Sequence, residues 1–280
     1  LIYYNKDVFD AAGIAYPSND MTMEDYDALA RQLTDTTYGS QVYGCHYHTW
    51  RSAVELFGIL DGKHSILDGN YDWMIPYYDM ILSEEDDGVC QTYTDLSTEG
   101  LHYSAAFSNG NVAMMNMGSW FISTLISNLD SGEYDSSLCG NWGIASYPHP
   151  DGAEAGSTIA TITGLAVTSA SANKDAAFDF VNWVSGTEGA KVMASTGNFP
   201  AIMTDDVINT IAGMAGFPTD ESSKEALNIT NAYLEVPYAE NVSEINSILD
   251  TYHTSIMNRE VTVEEGVASM NEQVGKILNQ

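Results

Sequence analysis

The stretch FSNGNVAMMNMGSWF, residues 107–121, decides how the rest of the chain is read. Phe107 to Asn111 reads as a turn, because Asn109-Gly110 supplies the φ > 0 conformation that bulkier residues resist. Val112 to Met117 is a short apolar run with the length of a strand buried on both faces. Gly118-Ser119 breaks that strand, and Ser119 is expected to cap a helix carrying Trp120, Phe121, Leu125 and Ile126. An indole in the first turn after such a break lies beside free backbone N–H groups, at the mouth of an open α/β sheet. A polar ligand with an apolar face, such as a sugar ring, suits that position.

Outward from this stretch, strands and helices alternate. Leu1 to Tyr4 reads as a strand and Asp7 to Ala12 as a short helix stopped by Gly13. Thr22 and Asp25 fit a capping box, followed at helical spacing by Tyr26, Leu29, Ala30 and Leu33. Tyr38 to His48 reads as a strand leading to a loop, Trp50 to Leu60 as a helix, and Asp72 to Leu82 as another with Pro76 near its start. Ser83 to Gly88 is expected to be a charged turn and Leu129 to Asn141 a surface loop. Trp142 to Tyr147 reads as a strand, and Ile159 to Val167 as a strand bent at Gly164. A helix opens at Ser171, with Ala177, Val181 and Val184 in one stripe broadened by Phe178. Two amphipathic helices close the chain, Ser243 to Asn258 and Thr262 to Leu278, the second with a Thr262/Glu265 capping box. This order of elements argues for an α/β fold.

Composition narrows the function. Thirty-nine acidic against nine basic residues give a formal charge of −30, which repels nucleic acid and anionic membranes. No cluster of Lys and Arg marks a pocket for an anion. Cys45, Cys90 and Cys139 lie far apart without C-x-x-C spacing, so the sequence suggests no zinc site; one disulfide and three buried thiols both fit. No run of apolar residues is long enough to span a membrane, and Leu1 to Tyr4 does not read as a signal peptide.

Three segments carry a resemblance. The F-x-x-G-x-x-A-M-x-x-x-G-S-W pattern ending at Trp120, the segment LIYYNKDVFDAAGIAYPSNDMTMEDYDALARQL (1–33), and TGLAVTSASANKDAAFDFVNWVSGTEGAKVMASTGNFPA (163–201) resemble the extracellular solute-binding proteins of carbohydrate ABC importers. Together with the C-terminal helices they span nearly the whole chain, and their order and spacing make the set specific. The resemblance implies a periplasmic-binding-protein-like (type II) fold of two α/β lobes, with mostly the second lobe present and an N-terminal portion lacking. On that analogy residues 1–161 begin the second lobe, 162–205 cross back to the first, and 206–280 return as the C-terminal helices of the second. The crossing segment is then expected to carry a partly uncovered apolar face. The implied function is capture of a neutral mono- or oligosaccharide and its delivery to permease subunits. The implied setting is extracellular, lipid-anchored or periplasmic, with the full-length protein a monomer.

The resemblance also assigns site residues. It places Trp120 against the sugar face, although an aromatic in a helix's first turn is more often core on physical grounds alone. Gly118 and Ser119 would add polar contacts, and the loop holding His46, Tyr47, His48 and Trp50 would add aromatic ones. On a strand His46 and His48 point the same way, which suits a metal ion, but no third or fourth ligand is identifiable nearby, so no metal is expected there. Thr163 and Gly164 at the crossover, Asn198 and Phe199 in the G-x-x-P turn, and Tyr238 and Glu244 before a C-terminal helix complete the set. No G-x-S-x-G, H-E-x-x-H or Walker pattern occurs, and Glu84 to Asp87 lacks the order of a calcium loop and reads as a solvated turn. A binding protein without cofactor is therefore expected rather than an enzyme. A non-transport sensor or adhesin on the same fold is the alternative.

Overall fold

The computed structural model describes residues 1–35 and 41–279. Strand β1 (Ile2–Asn5) lies at the centre of a four-stranded mixed sheet ordered β2-β3-β1-β4, with β2 at Tyr43–His46, β3 at Val112–Asn116 and β4 at Trp142–Ala145. Both β3 and β4 run antiparallel to β1, whereas β2 runs parallel to β3. Tyr38 to Ser40, the start of the expected second strand, lie outside the described residues.

The pleat divides the core in two. Tyr3 sits in register with Met115 and Ile144, and these side chains share one apolar cluster. Tyr4, Met114 and Cys45 share a register row and join the opposite cluster with Ile2. Successive strand residues point to opposite faces, so each face needs its own cover of helices. The Tyr4 face is covered by α2 (Met23–Asp35), α3 (Ser52–Ile59), α4 (Ile75–Asp86) and the C-terminal pair, while α1 (Lys6–Ala12) follows β1 directly. Gly13 at φ 68 ends α1, and Thr22 and Asp25 form reciprocal capping bonds at the start of α2.

The Tyr3 face is covered by α6 (Tyr103–Ser108), which follows α5 (Tyr93–Glu99), and by α7 (Trp120–Ser131). After α8 (Ser136–Cys139) and β4, a short strand β5 (Thr158–Ala160) leads to α9 (Lys174–Val184), α10 (Thr187–Ala194), α11 (Asp205–Ala212) and α12 (Glu221–Glu225). Strand β6 (Ala232–Leu234) then pairs in parallel with β5. Helices α13 (Val242–Met257) and α14 (Val263–Leu278) close the chain, α14 with the expected Thr262/Glu265 capping box. None of the helices described is long and apolar enough to cross a membrane.

Five expectations need correction. Ser119 precedes α7 but makes no capping bond through its side chain: its backbone is already helical, so its hydroxyl is not aimed at the next amides. Phe107 and Ser108 are the last turn of α6 rather than a turn of their own, and Gly110 alone adopts positive φ. Ser83 to Gly88 is no solvated turn, since α4 continues to Asp86 and buries Glu84 and Glu85. Glu85 stays buried because it accepts from the Tyr93 amide and from Arg259. The 129–141 stretch holds the end of α7 and all of α8, where Asp135 caps and Cys139 is buried. Only Ile159 and Ala160 of the expected Ile159–Val167 strand pair, in a strand that begins at Thr158; Thr161 to Ala166 are exposed without regular structure.

Helix α9 stands apart because it buries nothing. Phe178, Phe180 and Trp183 are 62, 59 and 48% exposed, and Ile162 and Leu165 before them are exposed too. The next helix, α10, buries Ala190 and Ala194 in the cluster that contains Phe121 and Leu125 of α7.

Candidate functional site

Residues 46–48 leave the edge of the sheet at β2, and alternation sorts them. His46 pairs in register with Met115 on the Tyr3 face, so His48, two residues on, faces the same way. Tyr47 faces the other way into the core, with edge-on contacts to Tyr26 and Phe57. His46 is fully buried beside His48, their rings 6.5 Å apart. Of these three, only His48 reaches the rings at the surface.

Those rings form one continuous patch. His48 meets Trp50 edge-on at 4.6 Å and Tyr103 at 5.3 Å, and Trp50 meets Tyr103 at 5.6 Å and Trp120 at 6.3 Å. The indole N–H of Trp120 donates to the Tyr103 hydroxyl at 3.1 Å. His102 packs on Tyr103 at 3.9 Å, and its Nδ1 accepts from the Ser104 amide, which caps α6. Trp50 and Trp120 are 44 and 41% exposed, whereas Tyr103 beneath them is buried. Two indoles therefore present ring faces to solvent above a fixed aromatic floor.

Glycine at 118 makes this arrangement fit. A Cβ there would lie 2.1 Å from the Trp120 ring, so the indole folds back over bare backbone. The Gly118 carbonyl accepts from the Tyr3 hydroxyl at 2.8 Å, which ties the break to the central strand. Arg51, next to Trp50, is buried and holds the other side: its Nε donates to Asp250 at 2.8 Å, and it also pairs with Glu55 and Asn246. That network fastens the start of α3 to α13. Sequence reading missed Arg51, Tyr103 and His102 because their partners are distant in the chain.

The patch carries no fixed positive charge. Burial lowers the His48 imidazole to about 4, with the neighbouring His102 pushing the same way, so His48 is neutral at ordinary pH. Stacking faces with neutral hydrogen-bonding edges match an uncharged ring better than an anion.

Other expected site residues lie elsewhere. The Gly197 turn, at φ 78, approaches the α7 backbone at Ser123, one turn beyond Trp120, and Phe199 packs on the cluster beneath α7. Asn198 is half-buried and donates to Thr196. Thr163 and Gly164 are exposed in the irregular segment after β5. Tyr238 is fully exposed, and Glu244 is exposed in the first turn of α13. Among the described residues none of these four makes a ring contact or hydrogen bond to the aromatic patch.

Comparison with known proteins gives a consistent result. The model of the bacterial extracellular solute-binding protein family matches residues 1–191. A crystal structure of a sugar transporter from Rhizobium etli, in an open conformation, is 48% identical with a TM-score of 0.90, covering 98% of this chain and 69% of that one. An ABC substrate-binding protein from Listeria monocytogenes in complex with cycloalternan is 21% identical with a TM-score of 0.76, covering 99% and 69%. A maltose-bound protein from Thermotoga maritima is 17% identical with a TM-score of 0.72, covering 99% and 70%. These last two likenesses concern the fold. No curated protein sequence matches the chain.

Proposed function

The chain belongs to the bacterial extracellular solute-binding protein family, and from that premise we propose that it captures a neutral mono- or oligosaccharide outside the cell and delivers it to the permease of an ABC importer. The observation that carries the reading is the neutral ring patch, in which Trp50 and Trp120 stand exposed over Tyr103. Trp120 supplies the principal stacking face. Trp50 and His48 supply the adjoining wall, Gly118 and Ser119 the polar contacts beside it, and His46 and Tyr47 support from behind. The family is one of solute-binding proteins, which supports capture without chemical change of the ligand.

The lobes follow the same reading. Residues 1–161 and 206–280 build one lobe, and the crossing segment 162–205 reaches the other through α9, whose apolar residues would find cover there, while α10 and Phe199 pack back on the α7 cluster of the first. Thr163, Gly164, Asn198 and Phe199 would then line the cleft where the chain passes between lobes, with Tyr238 and Glu244 at its rim. Sugar would bind in the open cleft and favour the closed form by its higher affinity for that state. Isothermal titration of the full-length protein against mono- and oligosaccharides, with chromatography of the recovered sugar, tests this. Saturable binding with unchanged sugar is expected; turnover of the sugar, or no binding across the panel, would overturn it.

A further inference from the structure

Two cysteines that lie 45 positions apart in the sequence meet on the buried side of β2, away from the aromatic patch. Cys45 points into the core from β2, and Cys90 follows α4, the helix that carries Glu84. Val89 fixes the approach: its carbonyl accepts from the Gly44 amide at 2.9 Å, and its own amide donates to the Glu84 carbonyl at 2.8 Å. The two sulfurs and a Glu84 carboxyl oxygen all lie within 4.8 Å of one another, and all three residues are buried. We propose that Cys45, Glu84 and Cys90 bind a thiophilic divalent metal ion of the zinc class, which the chain takes up as it folds.

Three observations converge. The first is chemical: two thiols and a carboxyl are the donor types of a structural zinc site. The second is geometric. A tetrahedral ion with sulfur at about 2.3 Å and oxygen at about 2.0 Å holds those two atoms about 3.5 Å apart. The Cys45 Sγ to Glu84 Oε1 separation is 3.6 Å. The third is unmet hydrogen bonding. Glu84 Oε2 and the Tyr26 hydroxyl are buried with no partner in hydrogen-bond geometry, the Tyr47 hydroxyl has only a poorly aligned contact with Glu84 and Cys45, and both tyrosines face this cluster. Buried polar atoms in native proteins are normally paired with protein, water or an ion. A cation would satisfy Glu84 directly and leave a tyrosine hydroxyl as a neutral fourth donor.

The surrounding charges complete the account. Asp27 faces Glu84 from α2 and is itself held by Arg31, whose Nε donates to it at 2.8 Å. Binding would release three protons to solvent, two from the thiols and one from the Glu84 carboxyl. The resulting three negative charges around a divalent ion leave one net negative charge. A disulfide between Cys45 and Cys90 would supply Glu84 Oε2 with no partner, whereas with three free thiols its remaining option is a proton shared with Asp27.

The wild-type full-length protein, produced with zinc in the medium and dialysed, is sufficient for the first test by elemental analysis. About one zinc per chain is expected, retained in Cys139→Ser and lost in Cys45→Ser, Cys90→Ser and Glu84→Gln. Exchange for cobalt should add a sulfur-to-metal charge-transfer band in the wild type. Mass and thiol titration of the denatured, unreduced chain supply the alternatives. A chain two hydrogens lighter with one titratable thiol would mean a disulfide. Three titratable thiols without metal would mean that Glu84 shares a proton with Asp27. Either result would overturn the proposal.

Discussion

The Trp120 indole N–H and the Tyr103 hydroxyl, joined across 3.1 Å, lock the first turn of α7 to the first residue of α6. The bond fixes the direction in which the exposed indole faces solvent. Trp120→Ala in the full-length protein is expected to weaken sugar binding about ten- to hundredfold, the loss of a stacking face worth roughly 1–3 kcal/mol. Because the ring is already 41% exposed, the urea midpoint should correspond to a stability loss below about 2 kcal/mol. Calorimetry and urea unfolding on the same mutant separate the two effects. Normal affinity with a large loss of stability would make Trp120 a core residue.

Gly118→Ala should act on the same ring without removing it. The new Cβ would sit 2.1 Å from the indole, so Trp120 must swing away from Tyr103. The expected result is a folded protein whose sugar affinity falls toward that of Trp120→Ala. An unchanged affinity would show that the ring direction is immaterial.

Arg51 offers a test of the support behind Trp50. Glu55 is buried against it, so Arg51→Leu leaves a carboxylate in the core without its cation. A destabilisation of about 3–5 kcal/mol is expected by urea unfolding, with much of it recovered in Arg51→Leu/Glu55→Leu. If the double mutant is no more stable than the single one, the ion pair is not the cause.

Acid should act through His253. Burial, reinforced by the nearby charge of Arg51, lowers its imidazole from 6.5 to about 3, and its Nδ1 lies 3.0 Å from the Tyr78 hydroxyl. The folded chain therefore holds it neutral, while the unfolded chain takes up a proton below pH 6.5. Stability from this residue is whole above pH 6.5 and is lost as the pH falls toward 3, by up to about 1.4 kcal/mol per pH unit. Urea midpoints measured across that window should fall more steeply for the wild type than for His253→Gln. Equal slopes would exclude His253 as the group responsible.

Local pattern made part of the fold legible. Gly13 ending α1, Thr22 capping α2, the apolar run of β3 and the Thr262/Glu265 box of α14 all act within a few residues of the features that announce them. Glu84 and Glu85 were illegible for the opposite reason. An acidic run looks solvated until Cys45 and Arg259, far away in sequence, are seen to meet it. The aromatic patch was half visible: Trp120 and Trp50 stand in recognisable settings, whereas nothing in Leu101-His102-Tyr103 marks the floor on which both rest.

The position of β1 has a consequence for the order in which the chain folds. Its four residues are buried between β3 and β4, whose residues lie more than 100 positions later. A ribosome extrudes this central strand well before both of its neighbours, so the sheet cannot close until Trp142 to Ala145 have emerged. Closing so long a loop is slow, as it is for any topology dominated by distant pairings. Until β4 has been made, β1 therefore lacks one of the two strands that bury it.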